Sequence, residues 1–225
     1  MGSGDVYKRQ VIARRRKAAL FIDVGSTTTD VVPIAEGKIV ARGYTDAQRL
    51  ATGELIYTGL VRSFLMATAQ SAPLNGLWTA LINENFATMA DVHRILGTLP
   101  AGVDLMATPD GREKSVPASR SRLARMLGSD ASNADSETWD LLARWFAEAQ
   151  IRAIVDAAML VTSSCTATSA APVIAAGIGV GIVAEVSRRL GVSFERFDEL
   201  LEVIPEARDA VSHCAPAAAL TALAS

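Results

Sequence analysis

Apolar positions alternate between short runs and helical stripes, and the alternation sets the expected elements. Residues 18–22 form an apolar run that delivers Asp23 to a strand end. Asp30 opens a second run over residues 31–34, and the glycine- and hydroxyl-rich loop between them reads as a hairpin. Glu36-Gly37-Lys38 is a tight turn into a third strand over residues 38–42, antiparallel to the second. Thr45-Asp46 caps a short helix through Leu50, and residues 53–59 are strand-like between two glycines. Residues 77–82 read as a strand. Over residues 86–96, Phe86, Met89, Val92 and Leu96 share one helical face. A short helix over residues 118–127 stops at Gly128. The longest helix runs from Ser136 to about Val161, with Trp139, Leu142, Trp145, Phe146, Ala149, Ile154, Ala157 and Leu160 as a buried stripe. Residues 172–176 are the next strand. Gly177-Ile178-Gly179-Val180-Gly181 turns into an amphipathic helix that ends at Leu190 before Gly191, and helices are expected over 194–201 and 208–223.

Composition changes this picture little. With 225 residues the chain can hold one large domain or two small ones. Its 22 basic and 24 acidic residues give no electrostatic case for nucleic acid or an anionic membrane. No apolar run reaches the roughly 20 residues of a spanning helix. Cys165 and Cys214 follow no metal spacing and fit a reducing, cytoplasmic setting as small buried residues. Residues 1–10 have the look of a non-native leader. The basic stretch at 11–17 reads as a solvated helix end leading into the first strand.

Chemistry concentrates in the first hairpin. Gly25 lets a ligand approach the main chain, and Ser26, Thr27, Thr28 and Thr29 add hydroxyls beside backbone N–H groups, which suits phosphate oxygens. Asp23 and Asp30 stand at the two mouths of the loop, as carboxylates that hold Mg²⁺ beside a phosphate do. A polar hairpin turn with two solvated acids is the plain alternative. Asn83, Glu84 and Asp91 fall at a strand-to-helix junction, where ligands gather in open α/β sheets and where helix capping also occurs. Residues 100–116 form a long polar loop carrying Asp110-Gly111-Arg112-Glu113-Lys114-Ser115, in which Arg112 and Lys114 either reach an anion or are solvated. Gly177 and Gly179 open a second glycine turn, suited to a phosphate or ribose or to close packing of helix on sheet. His93 and His213 have no second ligand at metal spacing.

Asp-Val-Gly-Ser-Thr-Thr-Thr-Asp at residues 23–30 resembles the second phosphate-binding hairpin of the actin, sugar-kinase and heat-shock-chaperone superfamily. Asn-Glu-Asn-Phe-Ala-Thr-Met-Ala-Asp-Val at 83–92 and Asp-Gly-Arg-Glu-Lys-Ser-Val at 110–116 narrow this to hydantoinase/oxoprolinase-like proteins of tetrahydromethanopterin-linked one-carbon metabolism, and within them to methanofuran-biosynthesis synthases. The resemblance implies an actin-like (ribonuclease H-like) ATPase fold over residues 11–225, a mixed sheet flanked by helices, with 100–170 mostly helical. It also implies a further Asp-x-Gly-Gly loop upstream, so the first lobe is expected to be incomplete and the chain N-terminally truncated. The implied activity joins an aminomethylfuran methyl diphosphate to the phenol of tyramine or γ-glutamyltyramine. Asp23 and Asp30 would hold Mg²⁺, Gly25–Thr29 with Arg112, Lys114, Gly177 and Gly179 would hold phosphate, and Glu84 or Asp91 would act as base. The alternatives are an ATP-dependent amidohydrolase or kinase of the same superfamily, and a non-catalytic phosphate-binding fragment.

Overall fold

The computed structural model describes residues 3–201. In chain order it contains helix α1 (Ser3–Arg15), strands β1 (Ala19–Val24), β2 (Thr29–Ala35) and β3 (Lys38–Ile39), helix α2 (Asp46–Thr52), strand β4 (Leu55–Ile56) and helix α3 (Leu65–Thr68). Strands β5 (Ser71–Leu74) and β6 (Leu77–Ala80) and helices α4 (Met89–Ile95), α5 (Val116–Arg125) and α6 (Ser136–Ser164) follow. Strand β7 (Val173–Ala176), helix α7 (Val180–Leu190), strand β8 (Phe194–Arg196) and helix α8 (Phe197–Leu200) complete the described chain. It is an α/β protein with a mixed sheet flanked by helices, and it divides into two units. One comprises the residues before Thr58 and after Arg152, the other Thr58–Arg152.

In the first unit the strand order is β3-β2-β1-β7-β8, with β4 paired to β2. β1 is antiparallel to β2 and parallel to β7, and β7 is parallel to β8. β1 is buried along its whole length, as its unbroken apolar run requires. Its Ala19 and Phe21 share a core with Val32 and Ile34 of β2, Ile174 and Ala176 of β7, Val11 and Ile12 of α1, and Phe197 and Leu200 of α8. α7 packs against β1 and β7. The expected turn after β2 has Glu36 and Gly37 both at positive φ, 54° and 69°, the form that matches strand twist. α2 carries a capping box between Thr45 and Gln48.

The second unit is mostly helical around Leu65, Met89, Val92, Leu123, Trp139, Leu142 and Phe146. The predicted stripe of α6 therefore buries its first turns as expected, whereas Leu160 at 49% exposure does not belong to it. The strand over 77–82 belongs to a separate two-stranded hairpin, β5-β6, turned by Asn75-Gly76. Other boundaries also move. The helix begun at Phe86 starts at Met89, because the capping box lies at Thr88 and Asp91. The third strand contracts to two residues, Lys38 and Ile39 pairing with Ala35 and Ile34 of β2, and only the Val40 N–H extends the contact, to Pro33 O at 3.0 Å. The first three residues of the helix expected over 194–201 are a strand, because they pair with β7. Residues 3–10 are helical, Cys165 is half-buried, and the helix over 208–223, with Cys214 and His213, lies outside the described residues.

A buried polar chain runs through the second unit. Gln150 Nε2 donates to Gly59 O at 2.9 Å and to Thr58 Oγ1 at 3.2 Å, so its Oε1 faces His93 Nε2 at 2.9 Å. His93 Nδ1 meets Thr98 Oγ1 at 2.9 Å. Burial pushes the His93 pKa below its usual 6.5, against the opposing bond to Gln150. The unfolded chain therefore binds more protons just below pH 6.5, and stability falls as pH drops from that value toward the folded pKa. Thermal unfolding followed from about pH 7.5 to about pH 5 should show this decline, and His93→Gln should flatten it. Parallel declines in both proteins would remove His93 as the cause.

Candidate functional site

The threonine hairpin forms as its letters predict. Asp23 and Asp30 are paired residues across the β1-β2 ladder, so their side chains leave the same face of the sheet. That face continues Ala19 and Phe21 on one strand and Val32 and Ile34 on the other, the face covered by α1. Gly25 N–H donates to Thr28 O at 2.9 Å, which closes a four-residue turn with Ser26 and Thr27 at its tip. Residues 25–28 are half-buried, while Thr29 is fully buried.

The acids are not solvated: Asp23 is 6% and Asp30 9% exposed. Asp23 is bound by Lys8. Asp30 is bound by Arg9 at 2.9 Å and also by Arg49. All three cations are buried, as charges facing a buried acid pair must be to offset its desolvation. None of the three was anticipated from the sequence, because their partners lie 15, 21 and 19 residues away. Two of them, Lys8 and Arg9, come from α1 and lie within residues 1–10, the segment with the look of a leader.

The two acids as placed do not fit Mg²⁺. That ion requires about six oxygen ligands in octahedral array, and here each carboxylate already faces at least one cation. Among the described residues no three His, Cys, Asp or Glu side chains cluster as metal ligands.

The β7-α7 turn closes on the same strand end. Gly177 has φ +83°, and a Cβ there would lie 2.3 Å from Asp23 Oδ1 and 2.4 Å from Val24 O. A Cβ on Gly179 would lie 2.3 Å from Val24 Cγ1, and the Gly179 N–H donates to Val24 O at 3.0 Å. The structure thus brings Gly177 and Gly179 to Asp23 and the hairpin, and close packing accounts for both glycines. Glu54 serves the same unit by accepting from the backbone N–H groups of Arg42 and Gly43 at 2.7 and 2.8 Å.

Glu84, Asp91, Arg112 and Lys114 lie in the other unit. Glu84 is exposed. Asp91 is 2% exposed and accepts from Thr88 N at 3.1 Å, Ser119 Oγ at 2.8 Å, Arg94 at 3.2 Å and Arg122 at 2.8 Å. Arg122, itself fully buried, also holds Asp110 at 3.0 Å and so ties down the long loop. Burial pushes the Asp110 pKa up, but the Arg112 N–H and the Arg122 guanidinium outweigh it and hold it below the usual carboxylate value. Arg112 is exposed, and Lys114 Nζ donates to Asp104 O at 2.6 Å. The strand-to-helix junction inferred for Glu84 is not at an edge of the six-stranded sheet, because β6 pairs only with β5.

A buried acid pair lies at the base of a glycine-hydroxyl hairpin in an α/β protein whose mixed sheet is flanked by helices. The chain belongs to the hydantoinase/oxoprolinase family, whose model matches residues 6–197. Two curated relatives carry the name (4-{4-[2-(γ-L-glutamylamino)ethyl]phenoxymethyl}furan-2-yl)methanamine synthase. The one from Methanocaldococcus jannaschii is 34% identical over 115 residues, 51% of this chain and 34% of the relative. The one from Methanococcus vannielii is 31% identical over 121 residues, 54% of each chain. The matches therefore span about a third and about half of these relatives' lengths. Among the described residues no helix is long and apolar enough to cross a membrane.

Proposed function

We propose that this protein is a transferase of methanofuran biosynthesis, built on an actin-like fold, that joins an aminomethylfuran methyl diphosphate to the phenol of γ-glutamyltyramine or tyramine. The similarity to the two synthases carries this reading, since the product in their name is a phenoxymethyl-furan ether. The phenol oxygen attacks the furan methylene, the bond from that carbon to the diphosphate oxygen breaks, and diphosphate leaves with the electron pair. The electron-rich furan supports positive charge on the methylene as the bond opens.

The demand on the protein is then electrostatic. Negative charge develops on the leaving diphosphate, and preoriented N–H and O–H donors stabilise it. The half-buried hydroxyls of Ser26, Thr27 and Thr28 at the hairpin tip supply such donors. Asp23 and Asp30 frame the loop through Lys8, Arg9 and Arg49. A phenol with pKa near 10 needs a proton acceptor at neutral pH. Of the two candidates Glu84 is the exposed one; the lone pairs of Asp91 are engaged in holding α4 and α5 together. Arg112, exposed on the long loop, is the cation that would meet an anionic group.

Replacing Ser26 by Ala together with Thr27 by Val tests the hairpin's role. Each lost charge-assisted hydrogen bond is worth about 1.5–3 kcal/mol, so diphosphate release should fall roughly a hundredfold or more while the unfolding midpoint barely moves. Unchanged release would remove the hairpin from the chemistry.

A further inference from the structure

The second unit contains a cavity of about 290 Å³ that the hairpin chemistry does not use. Arg94, Asp104 and Lys114 supply its charged lining, and the rest comes from Gly97, Leu99, Pro100, Ala101 and Gly102. Gly97 and Gly102 have φ of +68° and +76°, so the rim is shaped by backbone that a side chain would strain.

The charges are fixed in place from behind. Arg94 is 13% exposed at its side chain and is anchored by Asp91 at 3.2 Å and Ser119 Oγ at 3.0 Å through one terminal nitrogen. Its other terminal nitrogen donates to Asp104. A guanidinium has five N–H donors, and these three bonds leave Nε and one further N–H. Lys114 Nζ uses one donor on Asp104 O at 2.6 Å and lies 3.5 Å from Asp104 Oδ1, which leaves donor capacity on a side chain that is 36% exposed. Asp104, 11% exposed, keeps acceptor sites beyond those it gives to the two cations.

We infer that this cavity is a binding subsite for the head of an α-amino acid, with Arg94 and Lys114 taking the α-carboxylate and Asp104 the α-ammonium. A wall of two cations and one carboxylate matches a group carrying both signs. A phosphate dianion would meet Asp104 with repulsion, and a simple amine would leave both cations unmatched. The volume holds an amino-acid head and leaves room for the start of the chain attached to it. This rests on the transferase reading in one respect: a γ-glutamyl amide is linked through its side-chain carboxyl, so its α-ammonium and α-carboxylate are both free. The acceptor phenol recognised here is then the γ-glutamylated one.

The test is binding of γ-L-glutamyltyramine, its N-acetyl derivative, its α-carboxamide and tyramine to the full chain by calorimetry, without any furan substrate. The chain should bind γ-L-glutamyltyramine at least tenfold more tightly than each of the other three. Asp104→Asn should abolish the preference over the N-acetyl compound, and Lys114→Met should reduce the preference over the carboxamide. Lys114 is exposed enough for its replacement to leave the fold intact. Equal binding of tyramine and γ-L-glutamyltyramine, or variants that keep the full preference, would overturn the subsite. A chain that binds the head selectively yet forms no ether would overturn the transferase reading alone. Ether formation from both phenols with equal efficiency would overturn the subsite alone.

Discussion

Arg122→Met should destabilise the Thr58–Arg152 unit by about 3–5 kcal/mol, the usual cost of leaving one member of a buried ion pair uncompensated. Arg122 is fully buried and binds Asp91, Asp110, Ser119 Oγ at 3.2 Å and the Glu113 carbonyl at 3.4 Å. Methionine roughly fills the volume, so the loss comes from charge rather than from a cavity. Asp91 keeps Arg94, Ser119 and the Thr88 N–H, which places the effect toward the lower end of the range. Urea unfolding should show a lower midpoint with an unchanged slope. Adding Asp110→Asn to Arg122→Met should restore part of the loss, because the Asp110 carboxylate that faced Arg122 is then no longer left as a charge. A loss below about 1 kcal/mol would mean the network contributes little.

Gly177→Ala should be nearly as damaging, and it strikes the hairpin side of the molecule. The left-handed conformation costs a residue with a Cβ about 1–2 kcal/mol. Relieving contacts of 2.3 Å to Asp23 Oδ1 and 2.4 Å to Val24 O requires the β7-α7 turn to lift from the end of β1, and overpacking of this kind typically adds about 1–3 kcal/mol. The total should be about 2–5 kcal/mol by thermal or urea unfolding. Displacement of Asp23 by even about 1 Å should also lower turnover roughly a hundredfold. A variant with wild-type stability and wild-type diphosphate release would show that this turn does not position the hairpin.

The hairpin was legible because two local signals agree there. Apolar runs define β1 and β2, and an interruption by glycine and hydroxyl residues can only be a turn. The ladder pairing of Asp23 with Asp30 follows from the loop length. What holds those acids was not legible. Lys8, Arg9 and Arg49 come from two helices, and no spacing links them to their partners. Burial demands a cation near each acid but does not say which one. At Thr88 and Asp91 two sequence signals conflict: periodicity starts the helix at Phe86, while the capping pair starts it at Met89. Asn75-Gly76 is a strong hairpin signal, but Pro73 and the 71% and 70% exposure of Leu77 and Trp78 break the alternation that would have paired β5 with β6. β8 owes its extended form to pairing with β7, a tertiary effect that three residues cannot announce.

The proposed activity is formation of an aryl ether by displacement of diphosphate. The most direct measurement supplies the chain with aminomethylfuran methyl diphosphate and γ-L-glutamyltyramine, with no nucleotide present, and follows ether and diphosphate together. Both should appear in a one-to-one ratio, and added ATP should change neither rate. Ether formation that requires ATP, or ATP hydrolysis coupled to opening of a cyclic amide with no ether formed, would contradict it.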